Sequence, residues 1–227
     1  MAKLKFGAVI SDARGSIEGV TFSKGRAGAF ARKRGVPRLQ QSARTSGVRV
    51  GISNLARSWV SVLTQAQRDA WIALAVINPV TDVFGNSHIL TGQQLYIRVN
   101  RLRAQAGLTA LSAAPADQSV TGLATLTVTA TAPATLSLAF TATPLAAGHR
   151  LYIFATPPLS PGKLATKSDM AFLGVSATAQ ASPFAAGSLY AARFGDMIST
   201  RLISVSVAVL RDDRGALSPY FFGSDPA

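Results

Sequence analysis

The chain has 227 residues, 48% of them hydrophobic and 15% charged, enough apolar material for a buried core and too little charge for a disordered composition. It has no cysteine, which excludes disulfides, thiol catalysis and cysteine-based metal sites and fits assembly in a reducing cytoplasm. The net charge of +13 is uneven: residues 1–115 carry 16 Lys and Arg against 4 Asp and Glu, and residues 116–227 carry 7 against 6, so only the first half is expected to be drawn to an acidic partner.

Residues 1–45 read as a basic extended arm. The opening MAKLKFGAVISDARG reaches Asp12 after a short apolar run and lacks the h-region of a signal peptide, so export by the usual route is not expected. KLKFGAVI, SIEGVTF and GAFARKR are short β-capable runs, with Gly15, Gly19, Gly25 and Gly28 at or near the breaks. Runs this short need a partner edge, from this molecule or a neighbour. Five Lys or Arg and no acid then fall within GAFARKRGVPRLQQSARTSG.

Residues 46–107 read as a helical cluster. Val48, Ile52, Leu55, Trp59 and Val62 recur at steps of four and three, one apolar face of a helix. Thr64 and Gln67 have the spacing of a capping box, and the helix they open buries Trp71 and Leu74. NPVTDVFGNSHI reads as a loop broken by Pro79 and Gly85. Thr91 and Gln94 repeat the capping spacing before LYIRVNRLRAQAG, where Leu95, Val99 and Leu102 face inward, Arg98, Arg101 and Arg103 lie elsewhere, and Gly107 caps the end. Trp59, Trp71 and Leu95 are assigned to the helical core.

Residues 108–120, LTALSAAPADQSV, suit a linker. In residues 121–227 the period changes to two. ATLTVTATA, TLSLAFTAT, RLYIFATP, AFLGVSATA, SLYAARFG, LISVSVAVL and SPYFFG are seven β-type runs, and RDDRGAL reads as a hairpin turn closed by Gly215. The expected fold is mainly β with a small helical region, ending in a sandwich of immunoglobulin or fibronectin type III kind.

No catalytic constellation emerges. His88 lies in the loop after Pro79 and His149 beside Gly148 in a turn, with sixty residues between them, and both read as solvated polar residues; Asp212 and Asp213 are adjacent and point apart, which suits turn duty. There is no metal-ligand spacing, no phosphate loop, and no nucleophile motif around Ser16, Ser23 or Ser61. Neither an enzyme nor a cofactor is expected. Arg26, Arg32, Lys33, Arg34, Arg38, Arg44 and Arg49 have the charge to neutralise phosphates, but aromatic residues hardly interleave with them. The same arm has the chemistry to lie in an acidic protein groove or add a strand to a neighbour's sheet. Adhesion to a host surface through the sandwich is a third class.

Three blocks carry a resemblance: SDARGSIEGVTFSKGRAGAFARKRGVP, then ARSWVSVLTQAQRDAWIALA, then DVFGNSHILTGQQLYIRVNRLRAQAGL. They resemble a loosely defined group of phage and prophage virion proteins with a Gly/Ser-rich basic opening. These share a W…LT..QR..W segment, here Trp59, Leu63, Thr64, Gln67, Arg68 and Trp71, and a following LTG…LY.R.N segment. The latter is matched by Leu90, Thr91, Gly92, Leu95, Tyr96, Arg98 and Asn100. Where such proteins carry N-P-x-T-x-x-Q, this chain has VPRLQQSARTSG. The resemblance implies a structural role in the virion, assembled in the host cytoplasm, as a capsid decoration or cement protein or a neck or tail component. Its implied partners are the major capsid protein or other virion subunits, with the protein itself homo-oligomeric or present in many copies in the particle, nucleic acid second and no membrane. Arg26, Arg32, Lys33, Arg34 and Arg38 are the expected arm contacts.

Overall fold

Glycine-permitted turns organise the first strands. In the computed structural model, which describes residues 2–5, 12–33, 42–82 and 84–227, β1 (Ala2–Leu4), β2 (Gly15–Ile17), β3 (Val20–Gly25) and β4 (Gly28–Lys33) form one antiparallel sheet in the order β1-β4-β3-β2. The described strands therefore pair with one another instead of lying out as a lone arm. The β2–β3 turn places Glu18 (φ 41°) and Gly19 (φ 83°) both in the left-handed region, as a tight hairpin requires. Arg26 and Ala27 make the β3–β4 turn, with Gly25 opposite Gly28. Arg34 and Arg38 lie outside the described residues.

Three helices follow. α1 (Ala43–Ser61) starts at Ser42, whose hydroxyl accepts the Thr45 N–H at 3.1 Å. α2 (Gln65–Ile77) has the expected capping box: Thr64 Oγ1 accepts from the Gln67 N–H, and the Thr64 N–H donates to Gln67 Oε1. The supposed loop after it contains a minimal hairpin of β5 (Val80–Thr81) and β6 (Ser87–His88). Asp82 makes it compact by accepting the N–H groups of Phe84 and Asn86 at 2.8 and 3.0 Å. α3 (Gly92–Gln105) opens with the Thr91–Gln94 reciprocal bonds and ends at Gly107 (φ 72°), where the Leu108 N–H reaches back to the Arg103 carbonyl. A Cβ at Gly92 would stand 2.7 Å from Ile72 Cγ1 and 2.9 Å from the Ile72 backbone nitrogen, so only glycine lets α3 start this close to α2.

The chain divides into two compact units, residues 1–97 and 98–227, the division falling within α3. In the first, Tyr96 lies between the two tryptophans, 5.6 Å from Trp59 and 5.4 Å edge-on from Trp71. Trp71, Leu74 and Leu95 are buried around it. Burial raises the Tyr96 pKa.

The second unit contains β7 (Thr125–Thr131), β8 (Thr135–Thr141), β9 (His149–Ala155), β10 (Ala171–Val175), β11 (Phe184–Ala185), α4 (Gly187–Phe194), β12 (Leu202–Arg211), β13 (Ala216–Leu217) and β14 (Phe221–Pro226). A three-stranded sheet, β11-β8-β7, and a five-stranded sheet, β10-β9-β12 with β13 and β14 both on the far edge of β12, share one core. Alternation decides its content: Val128, Leu136, Leu138 and Phe140 come from one sheet, Leu151, Ile153, Val205 and Val207 from the other. Pro219 interrupts the last edge, and the Ser218 hydroxyl accepts the Val209 N–H instead. SLYAARF, read as a β-run, is the helix α4. Tyr190 and Phe194 stand one turn apart with ring centroids 5.1 Å from each other, a pairing that a strand of this length does not offer. Fourteen strands and four helices among the described residues make the protein mainly β with a small helical part.

Segment 108–120 is tied into this unit. Asn100 both donates to and accepts from the Leu111 backbone, Gln118 donates to the Arg214 carbonyl, and Arg214 Nη1 donates to Ser119 Oγ. Arg103, expected away from the buried face, is 7% exposed. Its guanidinium donates to the carbonyls of Thr109 and Asp212, which turns a cation inward where a helical wheel places it outside. Burial lowers its pKa, and the carboxylates of Asp212 and Asp213 work the other way.

Candidate interaction surface

The antiparallel register fixes which basic side chains share a face. Residues opposite one another lie on the same side, so Leu4, Ile17, Val20, Phe22, Lys24, Ala29, Ala31 and Lys33 belong to one face of the N-terminal sheet. Lys3, Thr21, Ser23, Phe30 and Arg32 belong to the other. Arg32 and Lys33 thus point apart, and Arg26 sits in the β3–β4 turn, roughly 20 Å of strand from Arg32. The structure does not gather the three into a single patch.

Apolar exposure is concentrated in the same unit. Among the described residues, eleven of the exposed large apolar side chains lie in residues 1–97 and three, Leu164, Ile198 and Phe222, in residues 98–227. On α1, Val48, Leu55 and Trp59 are half-buried, while Ile52 and Val62 on the same stripe are exposed at 41% and 64%. On α2, Ile72, Val76 and Ile77 are exposed beside fully buried Trp71. Soluble surfaces scatter such residues singly, so their number on α1 and α2 is notable.

Two adjoining hollows are cut into this unit. One, of about 390 Å³, is lined by Trp59 from α1, Ile72 and Val76 from α2, Ile89–Gln93 leading into α3, and Arg26. The other, of about 260 Å³, is lined by Lys3, the 25–28 turn, Phe30, His88–Leu90 and Gln94. Arg26, Ile89 and Leu90 belong to both. Apolar surface predominates in both; the first adds Arg26, Thr91 and Gln93 to it, and the second adds Lys3, Arg26 and His88.

His88, expected to be a solvated loop residue, is half-buried in β6 opposite Val80. Its Nδ1 is buried with no hydrogen-bond partner among the described residues. Lys3 donates to the Ala27 carbonyl at 2.5 Å and stands 3.8 Å from Asp82. Burial alone would raise the Asp82 pKa, but the hydrogen bonds from Asn86 and Phe84, with Lys3 beside it, outweigh that and lower it. Asp82 is therefore a carboxylate at neutral pH, and Lys3 has a counter-ion. Arg26 is exposed and makes no ion pair among the described residues.

The adjacent acids of the second unit serve its hairpin. Arg150 Nε reaches both oxygens of Asp212 at 2.8 and 3.0 Å, and Arg211 forks onto Asp213 at 2.7 and 3.0 Å. Among the described residues no three His, Cys, Asp or Glu side chains are grouped to hold a metal ion, and no helix is long and apolar enough to cross a membrane.

No protein-family model, curated protein or solved structure matches this chain.

Proposed function

We propose that this chain is a non-enzymatic structural protein of a phage virion, acting as a capsid decoration or cement protein, with the head–tail neck or tail as the alternative location. Its N-terminal unit grips neighbouring virion subunits, and its C-terminal unit is an immunoglobulin- or fibronectin-III-type sandwich carried outward by that grip. One observation carries the reading: most of the excess positive charge (13 Lys and Arg against 4 Asp and Glu in residues 1–97, 10 against 6 in residues 98–227) and, among the described residues, most of the exposed large apolar side chains fall in the first unit. Nucleic acid would reward the charge but leave Val50, Ile52, Val60, Ile72 and Val76 uncovered; a protein surface with acidic and apolar ground rewards both. The near-neutral second half supports the outward placement.

Quantitative mass spectrometry of purified particles tests this. The expected result is hundreds of copies per particle, equal in DNA-filled and DNA-free heads. A handful of copies moves the protein to the neck or tail, and loss from empty heads makes DNA the partner. Reversing Arg26, Arg32 and Lys33 to glutamate is expected to cut incorporation at least tenfold while the far-ultraviolet dichroism of the chain is unchanged. Normal incorporation of that variant sinks the assignment of these residues to subunit contacts.

A further inference from the structure

We propose that the two joined hollows of the N-terminal unit form a peptide-docking groove, and that its occupant is a segment of another protein with a bulky apolar side chain next to a carboxylate. This rests on the partner-binding reading above and names the partner's chemistry. The walls specify the apolar part: Trp59, Ile72, Val76 and Ile89 present hydrocarbon, with Ile72, Val76 and Ile89 40–54% exposed although they line a concave site. Filling it removes apolar surface from water at about 25 cal/mol per Å².

The carboxylate follows from the adjoining hollow. Arg26 stands at the junction without an ion pair among the described residues, and His88, whose Nδ1 is buried without a hydrogen-bond partner among those residues, belongs to the wall beyond it. Lys3 adds charge there, already partly balanced by Asp82. An acidic side chain lying against Ile89 and Leu90 comes within reach of the guanidinium, the strongest class of hydrogen bond available at an exposed site. A basic or neutral polar segment leaves Arg26 unmatched. The basic half of a second copy of this chain brings like charge to the groove, which favours a different, acidic protein.

Trp59 lines the groove while Trp71 is wholly buried, so tryptophan emission reports occupancy through Trp59. The full-length protein is titrated with a synthetic ten-residue peptide holding two leucines and three glutamates, and with versions in which glutamine or lysine replaces glutamate. The expected result is a saturable change for the glutamate peptide, abolished in Trp59→Phe, with about tenfold weaker binding of the glutamine version. Arg26→Glu should remove the preference for glutamate, and Val76→Asp should weaken every peptide at least tenfold; Ile89→Ser serves if Val76→Asp fails to fold. No saturable response up to millimolar peptide, or equal binding of the lysine peptide, overturns the proposal. Because no particle is needed, absent peptide binding with normal virion incorporation retires the groove alone. Peptide binding without incorporation retires the virion reading instead.

Discussion

Tyr190 shows how far one side chain departs from its solution chemistry once the sandwich closes over it. It is wholly buried, its hydroxyl donates to the Thr156 carbonyl at 3.2 Å, and burial pushes its pKa up to about 12. Tyr96 and Tyr220 are raised for the same reason, with Arg98 pulling Tyr220 slightly back. The neutral phenol is favoured in the fold, so this stability is fully present below the unfolded tyrosine pKa near 10 and is lost as pH rises toward 12. The expected outcome is a spectrophotometric titration in which at least these three of the four tyrosines ionise late, with cooperative unfolding between those two pH values. Ionisation of all four near pH 10 without unfolding contradicts the burial argument. Residue chemistry of this kind was poorly legible in the sequence. His88 and Arg103 owe their surroundings to β5 and to the 109–111 and 212 backbone, which no local pattern announces.

Elements were legible where their signals are local. Thr64–Gln67 and Thr91–Gln94 cap their helices because a capping box uses only neighbours, and Gly107 and Gly215 take positive φ where the ends and turns were expected. Two elements misled. The residues of α4 span two turns, a length at which period alone does not separate helix from strand, and the minimal β5–β6 hairpin depends on the Asp82 carboxylate gathering the Phe84 and Asn86 N–H groups of a breaker-rich segment. The N-terminal runs were visible as strands, but their pairing depends on turns. The β2–β3 turn carries a flaw, since Glu18 takes φ 41° where glycine or asparagine is favoured. Relieving it is expected to stabilise the sheet: Glu18→Gly should raise stability by about 0.5–1 kcal/mol, and Glu18→Val should lower it by at least as much. Denaturant melts reading out the first unit decide this, and a Glu18→Gly protein less stable than the parent would falsify the assigned turn geometry.

At the scale of the chain, the question is where an independently stable piece begins. The run 108–120 has the composition of a linker, yet it is held by side chains on both sides: Asn100 and Arg103 grip residues 109 and 111, and Gln118, Ser119 and Asp117 meet Arg214. Val99 is fully buried against Gly215, where a Cβ would come within 2.7 Å of it, and Tyr152 donates to Gln105. The second half of α3 therefore belongs energetically to the sandwich. Fragments 92–227 and 112–227 contain the same strands, but the shorter one loses the Arg103 bond to the Asp212 carbonyl, the Tyr152 bond to Gln105 and the packing of Val99 against Gly215. At about 1 kcal/mol per hydrogen bond and about 2 kcal/mol for the valine, it is expected to be about 3–5 kcal/mol less stable. Urea titrations of the two fragments provide the comparison, with the longer one expected to unfold in a single transition. Equal midpoints would mean that α3 merely rests on the hairpin, and that 108–120 behaves as the linker its composition describes.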